Sequence, residues 1–212
     1  MSAITVFGAG GRAGRRTVAE ALRRGYDVTA VVRDLAGHPD LLGSAADVVA
    51  GDVRAADPDL AIGRTAVISA AAAYGDGSDP AAFFEESSAA LLAAARAADA
   101  RLVVVGLSVL LSTAAGQPLL DTLELPAEFA SFALAHGSGL ATLRRQGGDV
   151  DWLYVSPGGD FDHQGERTGG YRIVETGDMG LRISYEDLAV AVLDEVERPA
   201  HRRVHLAVTG RF

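Results

Sequence analysis

The chain contains no cysteine and no lysine. The first absence removes disulfides, thiolate nucleophiles and thiolate metal ligands together. The second makes all 19 basic residues arginine, and excludes any mechanism that needs a lysine amine. Positive charge is scarce overall. With 28 acidic residues the formal net charge is −9, a field that repels phosphate backbones and argues against a nucleic-acid partner. Long apolar runs are missing too: no window approaches about 18 uncharged apolar residues, and Met1 is followed by a strand-like run instead of a basic leader. The expectation is a soluble cytoplasmic protein with no membrane partner. No acidic or histidine cluster has metal-ligand spacing, so no metal is expected. What remains, 212 residues of which 49% are hydrophobic, suits one domain over 1–212 with a single large core.

Short apolar runs alternate with longer helical patterns. The strand candidates are 4–7, 28–32, 47–50, 66–70, 102–105, 152–155 and 204–208; the helix candidates are 12–24, 80–98, 126–145 and 185–197, with a shorter one near Pro58. Strands apolar on both faces, alternating with helices, indicate an α/β fold: a Rossmann-like, doubly wound and mainly parallel sheet with helices on both faces. Ser184, with Asp187 three residues on, marks the start of the last helix. The last strand is expected at the sheet edge, where it could pair with another subunit; oligomeric state is not legible. The irregular segments 107–125 and 156–180 both follow strands. In such a sheet, loops beyond the carboxyl ends of strands line the ligand crevice, so substrate is expected there.

The stretch ITVFGAGGRAGRRTV (4–18) sets Gly8, Gly10, Gly11 and Gly14 between the first strand and first helix. It satisfies GxGxxA through Ala13 and GxxGxxG through Gly14. Glycines there let the chain turn sharply and let backbone approach a pyrophosphate at the helix N-terminus. After the second strand come Arg33 and Asp34. An acidic residue at that place selects NAD through the ribose hydroxyls, whereas arginine accommodates the 2′-phosphate of NADP; Arg33 comes first and Arg12 can reach the same phosphate, so NADP(H) is favoured over NAD(H). Asp52 and Val53 after the third strand, and Ala70, Ala71 and Ala72 after the fourth, complete a cofactor trough, with Asp52 placed to accept from the adenine amino group. Pro157 and Gly158, past the sixth strand, are expected on the nicotinamide half.

These motifs resemble the atypical short-chain dehydrogenase/reductases of the NAD(P)-binding, NmrA-like type, close to the biliverdin IXβ/flavin reductases and to bacterial NAD(P)-dependent oxidoreductases. The resemblance covers nearly the whole chain. Besides the glycine loop it rests on VTAVVRD (28–34), VVAGDV (48–53), GERTGGYRI (165–173) and RISYEDLAVAVLDEVERPAHRR (182–203). It implies an oxidoreductase, with Gly106 at the cofactor, Ser108 of GLSVLL (106–111) near the nicotinamide, and His136 on a substrate-side helix. One departure is HGSGLATLR (136–144), where Gly137 and Gly139 cost a helix roughly 1.5–2 kcal/mol against alanine. A ligand pressed against the helix, a kink, or a helix start at Ser138 would each explain them.

Many short-chain dehydrogenases protonate a carbonyl through a tyrosine whose pKa is lowered by a lysine four residues on. Without lysine this chain cannot use YxxxK. Hydride transfer needs positioning more than acid catalysis, because the cofactor carries the chemistry. For a flavin, quinone or tetrapyrrole the proton can come from solvent or from the substrate. Ser108, Tyr74 and His136 are the candidate catalytic residues, against their readings as turn hydroxyl, loop packing and surface histidine. His163 reads as a solvated loop residue, and Asp160 and Asp162 flank that region without metal-ligand spacing. An NADPH-dependent reductase of a flat conjugated or carbonyl substrate is the expectation; an NADP-binding redox sensor without turnover, or a non-redox pathway enzyme, are the alternatives.

Overall fold

A computed structural model describes residues 2–73 and 79–211. Among these, eight strands form one sheet in the order β3-β2-β1-β4-β5-β6-β10-β8. The strands are β1 (Ala3–Phe7), β2 (Asp27–Val32), β3 (Asp47–Ala50), β4 (Ala66–Ser69), β5 (Arg101–Val105), β6 (Trp152–Pro157), β8 (Tyr171–Val174) and β10 (Val204–Gly210). All neighbours are parallel except β8, which runs antiparallel to β10 with Ile173 opposite Val208. β1 pairs with β2 on one side and β4 on the other, Ile4 lying between Val28 and Ala66. The strand order therefore reverses between β1 and β4, which opens a crevice beyond their carboxyl ends.

Successive side chains of a strand point to opposite faces, and here both faces are dry. Ile4, Val6, Val28 and Ala30 belong to a core shared with helices α1 (Arg12–Arg23) and α5 (Tyr185–Glu197), whereas Phe7, Val31, Val67 and Leu102 belong to a second core under α3 (Pro80–Ala98) and α4 (Ala127–Gln146). Asp79 caps α3 by accepting from Ala81 N, and Pro80 fills the first helical position. Ser184 caps α5 through Asp187 N at 3.0 Å. Asp187 does not turn back to complete a capping box. Its buried carboxylate instead accepts from Thr168 N, Thr168 Oγ1 and Gly169 N at 2.6–2.9 Å. Arg167 of the same loop donates to Glu20 on α1 at 2.9 Å. The GERTGG segment is thus a clamp joining α1 to α5.

Three expectations are corrected. The last strand is not at the edge: β10 lies between β6 and β8, and β8 takes the edge position. The segment 156–180 is not wholly irregular, since it holds β8 and β7 (Asp160–Asp162), which pairs in parallel with β9 (Arg182–Ser184). The element near Pro58 is a single 3-10 turn, Pro58–Leu60, and a short α2 (Pro39–Leu42) was not anticipated. The helix α4 runs continuously from Ala127 through Gly137 and Gly139, so it does not start at Ser138. A Cβ on Gly139 would lie 3.0 Å from Ser88 Oγ and 3.2 Å from Phe84. Its glycine is what lets α3 and α4 approach closely, and no ligand is needed to explain it.

Candidate functional site

A cavity of about 800 Å³ runs along the carboxyl ends of the central strands. At one end the glycine loop and α1 form its wall. Gly8 has φ +71°, and a Cβ there would stand 2.5 Å from Ala71 N, so its bareness serves the turn and the passage of the β4 end. Gly14 lies under the loop, where a Cβ would meet Gly8 O at 2.1 Å. Gly10 is covered by His38, two of whose ring atoms would lie 2.3 Å from a Cβ. Gly11 has the most room, its Cβ position being 3.3 Å from Gly8 O. As N-cap of α1 it offers no side chain, and the first turn contains no acidic residue. The N-terminus of α1, where Gly11 and Arg12 line the cavity, thus carries no side-chain cap and lies at the positive end of the helix dipole, which is the environment an anionic diphosphate needs.

The remaining sequence-derived positions divide. Gly8, Gly10, Gly11, Arg12, Arg33, Val53, Ala70, Ala71, Ala72, Ser108 and Pro157 line the cavity. Ala13, Gly14, Asp52, Gly106, Gly158 and His136 are not on its wall. The Asp52 carboxylate is turned to Arg54, accepting from its backbone and guanidinium, and that pairing holds it below the usual carboxylate range. Gly106 lies beneath the Tyr154 ring, 1.9 Å from where its Cβ would be. Gly158 spends its backbone on Val208 O and Asp178 N, and its neighbour Gly159 faces the cavity instead. Tyr74 lies outside the described residues. Asp34 also reaches the wall, but its Oδ1 accepts from Ala36 N in a local turn at 3.0 Å.

His136 is buried. Its Nδ1 is 2.8 Å from Tyr154 Oη, and its ring packs 3.9 Å from that of Phe84 and edge-on to Phe132. Burial pushes its pKa down to about 3 and the Tyr154 phenol up, so both are neutral near pH 7. The geometry makes His136 a support for the cavity wall, one layer behind it. Ser108 opens a 3-10 turn (Ser108–Leu110) directly after β5, and its Oγ lies 3.9 Å from Met179 Sδ on the cavity surface.

Residues 8–199 match the family described as NAD(P)H-binding. The Bacillus subtilis protein YwnB, itself uncharacterized, is 32% identical over 98% of both chains. A solved structure from Streptococcus pneumoniae TIGR4, provisionally described as an NADH-flavin reductase, shares 30% identity over 100% of both chains at a TM-score of 0.86. A Bacteroides thetaiotaomicron structure provisionally described as an epimerase shares 29% over 100% of this chain and 98% of that one, at 0.83. The chain belongs to the NAD(P)H-binding family.

As a member of that family it has an NAD(P)H-binding fold. Besides the glycine loop, the cavity wall carries a set of apolar and aromatic side chains. Phe83 of α3, Phe129 and Phe132 of α4, and Leu123 and Leu125 before α4 form one side. Phe161 and Tyr185, stacked at 3.9 Å with 11° between their planes, form another, with His163 tilted beside Tyr185. Sequence reasoning missed most of this set, because the aromatics are spread over a hundred residues and carry no local signal. His163, expected from the sequence as a solvated loop residue, reaches the cavity wall.

Proposed function

We propose that the protein is an NADPH-dependent reductase that passes hydride to a flat conjugated substrate, a flavin or quinone, without a tyrosine–lysine pair. The observation that carries this reading is continuity: the side-chain-free N-terminus of α1 and the aromatic chamber open into one cavity. Bound NADPH would supply the hydride. Gly11 and the first turn of α1 hold the diphosphate, and Arg12 and Arg33 hold the 2′-phosphate. The aromatic walls orient a planar ring by offset stacking and exclude water. Ser108 Oγ, fixed at the end of β5, donates to a polar atom of the substrate; its position on the cavity wall supports that role. The proton follows from solvent, because no lysine is present to depress a tyrosine.

The Streptococcus pneumoniae relative described as an NADH-flavin reductase supports the reaction class. The preference for NADPH rests on Arg12 and Arg33 alone. The test is to follow absorbance at 340 nm with NADPH or NADH and a panel of flavins, quinones and carbonyls. Oxidation of NADPH by a flavin or quinone is expected. Binding of NADPH with no oxidation across the panel would replace this reading with that of a redox sensor.

A further inference from the structure

His38, between β2 and α2, is outside the glycine pattern, yet its ring lies on that loop. Its Nδ1 is 2.9 Å from Nη2 of Arg15. The same guanidinium donates from Nε to the Gly10 carbonyl at 2.8 Å and pairs through Nη1 with Asp40. Each nitrogen of Arg15 is therefore engaged, and its orientation is set from three sides. A guanidinium has donors only. His38 Nδ1 must accept, which places the single ring proton on Nε2. The Nε2–Cε1 edge is the one lying over Gly10. His38, Gly10, Arg12 and Arg33 all line the cavity where β2 ends and α1 begins.

We propose that His38 Nε2–H is a neutral donor to a phosphomonoester on the adenosine ribose of the cofactor, beside Arg12 and Arg33, and that Arg15 selects the tautomer that makes it a donor. The inference rests on the NADPH reading above. An unheld imidazole presents a lone pair to phosphate as easily as a proton. The Arg15 contact removes that alternative, and the Gly10 carbonyl that holds Arg15 ties the device to the phosphate loop itself. His38 is thus a specificity residue: it adds to ligands that carry the ribose phosphate and not to those that lack it.

The experiment is calorimetric titration of 2′,5′-ADP and of ADP into the wild-type protein, His38→Ala and His38→Gln, with long-range proton–nitrogen NMR of the wild-type histidines. Losing a charge-assisted hydrogen bond is expected to weaken 2′,5′-ADP about tenfold or more in His38→Ala. ADP should change less than about twofold, and His38→Gln, whose amide N–H replaces Nε2–H, should recover most of the loss. NMR should show His38 protonated on Nε2. Equal weakening of both ligands, or an Nδ1-protonated ring, overturns the role of His38 while leaving the NADPH reading intact. A wild-type protein that does not distinguish 2′,5′-ADP from ADP overturns the NADPH reading, and this proposal with it. Should His38→Ala not fold, the glutamine variant and the wild-type NMR decide the matter alone.

Discussion

Charging an imidazole withdrawn from water costs free energy that an exposed one does not, and two histidines of this protein, the buried His136 and the half-buried His205, are in that position. Burial holds His136 down to about 3; burial, with Arg144 nearby, holds His205 down to about 4, from an ordinary value of 6.5. Unfolding lets both take protons at pH values where the folded protein does not. Stability is therefore complete above pH 6.5 and falls as pH drops from about 6.5 toward 4, by at most about 1.4 kcal/mol per pH unit for each histidine. Thermal unfolding between pH 7 and 4.5 should show that slope, and His136→Asn should flatten it. Glu20 acts lower. Its burial alone would raise its pKa, but Arg23, Arg167 and Arg24 together hold it well below the carboxylate range, so its contribution is lost only as pH falls below about 4.5. Ser108 is tested differently, since it touches the cavity and not the core. On the proposed chemistry, Ser108→Ala should lower kcat roughly 100-fold while leaving NADPH affinity unchanged, as expected for a donor realised in the transition state.

Among the elements, α4 separates two glycines that look alike in the sequence. A Cβ at Gly137 would find only Leu110 Cδ2, at an ordinary 3.5 Å, whereas one at Gly139 would press on Ser88 and Phe84 at 3.0–3.2 Å. Gly137→Ala should therefore stabilise the protein by up to about 1 kcal/mol, the helix propensity difference. Gly139→Ala should destabilise it by about 1 kcal/mol, as overpacking exceeds that gain. Chemical denaturation of the two variants checks the contrast; equal effects would mean α3 and α4 are not in the close contact described. The same lesson applies to the clamp around Asp187. GERTGG reads as a family motif, but its residues hold α1 to α5 and do not line the cavity.

For the whole molecule, a net charge of −9 is set against a cavity whose wall includes Arg12 and Arg33. On the proposed function, an anionic cofactor is drawn to those arginines by local charge and helix dipole against the overall field. If NADPH binds only the folded chain, its presence at about 100 times Kd should raise stability by about 2.7 kcal/mol. A melting temperature unchanged by saturating NADPH would contradict this. The alternation of strands and helices, the turn at Gly8 and the absence of lysine were legible from the chain alone, because period, propensity and composition are properties of neighbouring residues. Parallel order followed from them. What passes beside a missing Cβ was not legible: His38 over Gly10, Tyr154 over Gly106 and α3 against Gly139 are meetings of segments far apart in sequence. The same reason hid the burial of His136 and the aromatic wall built from α3, α4, β7 and α5. Local sequence determined the cofactor fold, and tertiary packing alone decided which side chains face the space beside the cofactor.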